Sequence, residues 1–137
     1  MGPQAVTDPA ALCRETLRIL RPSGTAGFSS TIGIGWYPTV KAVFPSFEMP
    51  QAIGELWTKP DVITKDLEAM GYKDVVIKPF NFKEHVKLVG FVDTLSAVVP
   101  YLRDPEQKEK YLNYLKEQGN GQTMEFDWNA WIVTAKK

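Results

Sequence analysis

The sequence predicts an α/β fold with about three strands, the last of them antiparallel, separated by helices. Three stretches carry that expectation. "LRILRPSGT", from Leu17 to Thr25, reads as the end of a helix, a Pro-Ser-Gly turn and the start of a buried strand. A second helix runs into Gly71 and then into the apolar-centred strand "YKDVVIKPF". The tail, Met124 to Ala135, alternates in its first half and is apolar throughout its second, the pattern of a strand with one half-exposed end and one buried end.

The 137 residues suit one domain, 1–137, long enough to bury a core without disulfides or metals. Sixteen basic residues balance sixteen acidic ones, so nothing in the charge points to nucleic acid or an anionic membrane as partner. One cysteine, Cys13, excludes an internal disulfide. The opening residues MGPQAVTDPA lack the basic start and apolar stretch of a signal peptide, and no run approaches the ~18 apolar residues of a membrane span. A soluble cytoplasmic protein is the expectation.

Taken in order, Asp8 caps a first helix whose first position is Pro9, where no N–H is needed. Leu12, Cys13, Leu17 and Leu20 form its apolar stripe, and Pro22 and Gly24 turn the chain. Residues 25–30 (TAGFSS) make a short buried strand with small side chains. The stretch TIGIGWYP is irregular, and Pro38 starts a short helix that ends by Pro45. Residues 45–57 read as a loop closed by Trp57. Thr58-Lys59-Pro60-Asp61 has the capping-box pattern, and Ile63, Leu67 and Met70 stripe the helix that follows. The next strand covers 72–80. Asn81-Phe82-Lys83-Glu84 then reads as another cap, opening an apolar helix through Leu88, Phe91, Val92, Leu95 and Val99 to Pro100. Asp104-Pro105 opens the last helix, which Gly119-Asn120-Gly121 ends. The strands at 72–80 and 124–135 are placed to pair antiparallel, with the intervening helices as a cap.

That order resembles the C-terminal half of a class I S-adenosylmethionine-dependent methyltransferase. "CRETLRILRPSGTAGFSS" resembles the helix and fifth strand of that family, with Ser23 where the usual turn has a first Gly. "DLEAMGYKDVVIKPF" is similar to the helix and strand six, and "FDWNAWIVTAKK" to the antiparallel strand seven. GWYP after the fifth strand, with helices between strands six and seven, is most similar to fungal small-molecule methyltransferases. The resemblance implies a partial Rossmann-like sheet with a helical cap insertion, small-molecule and secondary metabolism, and an acceptor-substrate pocket. It also implies that the cofactor half, with its Gly-rich turn and acidic ribose-binding residue, is missing. No residue here is assigned to the cofactor, and S-adenosylmethionine is expected only if a partner completes the site. Gly33-Ile34-Gly35 is the nearest glycine string and follows the wrong strand.

In the family's sheet the strand at 25–30 is flanked by a fourth strand that is absent here. Its open edge predicts a homodimer or a complementing chain. His85, the lone histidine, is placed in the first turn of the apolar helix as a candidate general base for a hydroxyl acceptor. Trp36, Tyr37, Trp57 and Phe91 are candidates to line a pocket for a small apolar or aromatic metabolite. Ser29 and Ser30, at the end of the strand, are candidate substrate contacts. Glu125 and Asp127 share one side of the last strand and read as solvent-facing, Cys13 reads as core, and no metal site is expected. Catalysis itself stays open. The alternatives to a methyltransferase completed by a second half are a cofactor-independent cyclase or isomerase using the remnant pocket, and a non-catalytic binding or regulatory subunit.

Overall fold

The computed structural model describes residues 3, 6–49 and 57–137. Its elements are α1 (Pro9–Ile19), β1 (Thr25–Gly33), α2 (Tyr37–Val43), α3 (Pro60–Ala69), β2 (Lys73–Lys87), α4 (Leu88–Leu95), a 3-10 turn (Pro100–Arg103), α5 (Pro105–Gln118) and β3 (Thr123–Lys136). The three strands form one antiparallel sheet in the order β1-β3-β2. β1 pairs with β3 from Thr25↔Lys136 to Thr31↔Ala130, and the register slips between Thr31 and Gly33, leaving Ile32 as a bulge. Contacts between β2 and β3 run in opposite directions along the two strands: Asp74 meets Lys136, Phe82 meets Trp128, and His85 meets Glu125. The α/β class and the antiparallel last strand are therefore as the sequence predicts.

Local signals acted as expected at several ends. Asp8 accepts a hydrogen bond from the Ala11 N–H at 2.8 Å, and Asp104 accepts one from the Gln107 N–H at 3.0 Å. Gly71 ends α3 with φ near 100°, where a side chain is strained. In the turn before β1, Ser23 occupies the left-handed region at φ 62°. This is the position at which the resemblance has glycine, and glycine carries no Cβ penalty there. The Thr58 capping box did not form as read: the N-cap falls on Lys59, with no side-chain hydrogen bond to it. The predicted 45–57 loop lies partly outside the described residues.

The largest departure is β2. The expected helix start at Asn81–Glu84 is strand, and the helix begins only at Leu88. Over Glu84–Lys87 half-buried and exposed residues alternate, and β3 lies alongside to complete the ladder, which outweighs a local capping pattern. Pro79 sits inside β2, where its missing N–H is tolerated because β2 is an edge strand. Along β3 the buried positions are even-numbered through Phe126 and Ala130, then odd-numbered at Val133 and Ala135.

The chain divides into two compact units. The first comprises Met1–Gly33, Met49–Asn81 and Asn129–Lys137. Its core sets Cys13 of α1 and Ile63 and Leu67 of α3 against Ala26, Val133 and Ala135 of the sheet. Helical spacing of four and strand spacing of two put each set on one face. Phe28 meets Trp57 and Tyr72 edge-on, each at 5.9 Å, and the Tyr72 hydroxyl donates to the Cys13 carbonyl at 2.8 Å. The second unit comprises Ile34–Glu48 and Phe82–Trp128. There Phe44 stacks on Tyr101 at 5.0 Å, and buried Tyr111 shares a 2.7 Å hydrogen bond with Thr39. Lys41 ties down the end of α2 by donating to the carbonyls of Pro45 and Phe47.

Candidate functional site

The residues singled out from the sequence fall in different units. Ser29, Ser30 and Trp57 belong to the first. Ser30 is fully buried, and its hydroxyl donates to the Trp57 carbonyl at 2.5 Å. Trp57 holds φ 62°, and its ring N–H donates to Asp66 at 3.1 Å. Trp131 adds a 2.8 Å bond from its ring N–H to the Thr58 carbonyl. Two bonds from the sheet thus fasten residues 57 and 58, and they occupy the Ser30 hydroxyl. Ser29 is half-buried and paired with Ile132 in the ladder. Trp57 also lines an open groove with Thr58, Lys59 and Val62.

Trp36, Tyr37 and Phe91 belong to the second unit. Trp36 is buried and meets Tyr37 edge-on at 6.5 Å, and Tyr37 packs on Phe47 at 6.1 Å. Phe91 lies against Phe126 at 4.9 Å. Each of these rings has at least one aromatic neighbour from its own unit.

His85 is not in a helix, as the sequence reading had it, but on β2. That move gives it a partner. Its Nε2 lies 3.2 Å from Glu125 Oε2. Lys83, two residues back and on the same face, hydrogen-bonds Glu125 and lies 3.8 Å from Asp127. The hydrogen bond from Lys83 holds the Glu125 carboxyl below its usual range, aided by the charges of Lys83 and His85, and Glu125 in turn raises Lys83. A proton on Nε2 would face the Glu125 carboxylate, which only accepts, and would leave Nδ1 as the nitrogen able to take a further proton. His85 and Glu125 line an open groove of about 380 Å³ with Gln118, Gly119, Asn120, Thr123 and Met124. Asn120 sets one wall by accepting from the N–H groups of Gln122 and Thr123. The His85–Glu125 pair was missed because it exists only when β2 continues to Lys87 beside β3. The residue types over Phe82–Lys87 gave no clear strand signal, since Lys83, Glu84 and His85 are polar in a row.

A glycine turn that cradles a nucleoside cofactor needs open space where Cβ atoms would stand. Gly33 and Gly35 do not have it. A Cβ on Gly33 would come within 2.9 Å of Asn129 Nδ2. One on Gly35 would come within 2.7 Å of both the Asp127 carbonyl and Phe126 Cβ. Both glycines are spent on close approach to β3, and they do not fit S-adenosylmethionine. Among the described residues no group of three or more His, Cys, Asp or Glu side chains is arranged to hold a metal, and no helix is long and apolar enough to cross a membrane.

Comparison with known proteins points to one fold. No protein-family model matches the sequence. The methyltransferase ucsB of an Acremonium species is 30% identical over 96 residues, which cover 69% of this chain and 33% of that relative. A crystal structure from Bacillus halodurans C-125, provisionally described as a methyltransferase, superposes with a TM-score of 0.55 at 16% identity, covering 98% of this chain and 60% of that one. The chain therefore has a methyltransferase-like α/β fold and spans about a third of the length of the Acremonium relative.

Proposed function

We propose that this chain is the acceptor-side, C-terminal portion of a methyltransferase-family protein of small-molecule metabolism. In this reading residues outside this chain supply the S-adenosylmethionine site. The similarity to ucsB supports the family, and the β1-β3-β2 order, matching strands five, seven and six of the resemblance, supports the position within it. The observation that carries the chemistry is the His85–Glu125 pair at the rim of a groove. An acceptor hydroxyl must lose its proton as it is methylated, and Nδ1 of His85 is free to take it while Glu125 holds the other nitrogen and stabilises the imidazolium. A carboxylate behind an imidazole does the same orienting work in hydrolytic triads. The groove is open, so the acceptor is a small phenol or alcohol bound at the surface of the second unit. The protein belongs with water-soluble cytoplasmic metabolism.

Calorimetric titration with S-adenosylmethionine tests the cofactor half of this proposal: the chain alone should give no binding heat, and measurable affinity would overturn it. Methyl transfer from labelled cofactor to small phenols tests the rest. The assay mixes this chain with the portion of the Acremonium methyltransferase that has no counterpart here. Activity should appear only in the mixture and fall at least tenfold in His85→Gln. Activity that survives His85→Gln removes the histidine from the chemistry.

A further inference from the structure

The groove beside His85 has acceptors that are already engaged and donors that are not. Of the described residues that line it, only Glu125 is a carboxylate. Both its oxygens are taken, one by Lys83 and the other by the edge of His85. The Asn120 amide is equally committed: its oxygen accepts from the N–H groups of Gln122 and Thr123, and its nitrogen donates to the Thr123 hydroxyl oxygen at 2.7 Å. That last bond leaves the Thr123 hydroxyl proton with no acceptor among the described residues. The Gln118 amide, at the end of α5, has no partner among them either. No Phe, Tyr or Trp ring lines the groove among the described residues, and Met124 is the one large apolar side chain there.

Lys87 adds a charge to this set of donors. The Leu88 N–H donates to the Gln122 carbonyl at 2.9 Å, continuing the antiparallel pairing that sets His85 beside Glu125. Lys87 therefore stands opposite Thr123, two residues beyond His85 and on the same face of β2. Lys83, two residues before His85, is neutralised by Glu125 and Asp127. Lys87 is exposed and has no carboxylate partner among the described residues.

We infer that the acceptor is a hydroxy acid, a small phenol or alcohol whose carboxylate is held by Lys87 and the Thr123 hydroxyl while its own hydroxyl meets His85. A carboxylate only accepts, so it suits a wall whose free groups only donate, and its bond to an ammonium is of the strong, charge-assisted kind. An uncharged acceptor forgoes that bond, which makes Lys87 a specificity-determining residue. Alternate residues on one face of a strand stand about 6.6 Å apart, comparable to the span from hydroxyl to carboxylate in para-hydroxybenzoate. This inference rests on the proposed reading of His85 as the base and adds the class of substrate to it.

NMR titration of the isotope-labelled chain with para-hydroxybenzoate, without cofactor, tests it. Saturable shifts are expected at His85, Lys87, Gln118 and Thr123. The methyl ester of the same acid should bind about tenfold more weakly, the worth of one hydrogen bond to a charged group. Lys87→Met should weaken the acid by the same factor and leave the ester unchanged, and Lys87→Arg should restore the acid. Acid and ester binding alike, no saturable shift with the acid, or a Lys87→Met chain that binds the acid as the unmodified chain does, each overturns the inference. Binding is read without methyl transfer, so a failure here is distinguishable from a failure of the proposed function. Acid binding that persists while the mixture stays inactive counts against the methyl-transfer reading alone. Methyl transfer to an uncharged phenol with no binding of the acid counts against the hydroxy acid alone.

Discussion

Replacing Gly35 by alanine separates two roles for the Gly33-Ile34-Gly35 string: a ligand cradle or a contact with β3. A methyl group at Gly35 would stand 2.7 Å from the Asp127 carbonyl oxygen and 2.7 Å from Phe126 Cβ, distances that real Cβ atoms do not reach. Neither atom is the loose end of a side chain, and Phe126 is buried, so the backbone has to move. Overpacking of this kind costs about 1–3 kcal/mol. With a urea m-value of about 2 kcal/mol/M, that is a fall in the unfolding midpoint of about 0.5–1.5 M. Gly33→Ala meets the terminal amide of Asn129, which can swing aside, and should lose less. Gly27→Ala meets nothing and should gain about 0.5 kcal/mol from alanine's better strand fit. Urea titration followed by far-UV circular dichroism and tryptophan fluorescence measures all three, Trp36 being next to the altered residue. A Gly35→Ala midpoint equal to that of the unmodified chain would refute the close approach, and with it the argument that these glycines have no room for a cofactor.

Further outcomes follow from single contacts. Ser30→Ala strands the Trp57 carbonyl in the core and should cost about 1–2 kcal/mol, read as a lower thermal midpoint. Ser23→Gly relieves a side chain held at φ 62° and should stabilise by about 0.5–1 kcal/mol, after glycine's extra unfolded freedom is subtracted. Glu125 has a lowered folded pKa, so its contribution is full above the unfolded value and is lost as pH falls through the folded one. Carboxyl NMR should place its midpoint below the usual glutamate range, and Lys83→Met should raise it. Burial, with Asp66 nearby, pushes the Cys13 thiol up to about 11, so a thiol reagent at neutral pH should label Cys13 only after unfolding.

Legibility followed the range of the forces. Asp8 and Asp104 cap helices because a short side-chain acceptor reaches a backbone N–H three residues on, whatever surrounds it. Gly71 stops α3 because only glycine takes a positive φ without strain. The alternation of the tail marked β3 within a residue or two of its ends. Residues 81–87 defeated the same reasoning. Their cap-like start favours a helix locally, and their strand form depends on β3 being present to pair with. His85 was noticed as a titratable group near neutral pH, but its orientation toward Glu125, forty residues later, depends on that pairing.

By itself, then, the sequence determined the class of fold, the order of helices and strands, and the uncharged character of β1. Those depend on side-chain periodicity, on caps and turns, and on composition within a few residues. The tertiary structure decided what each chemically able residue does. It spent the Ser30 hydroxyl on Trp57, pressed Gly35 against β3, packed Trp36 and Tyr37 beside neighbouring aromatic rings, and carried β2 far enough to set His85 beside Glu125. The physical reason is that a hydrogen bond or a van der Waals contact acts over a few ångströms, and which residues come that close is settled by the register of strands distant in sequence.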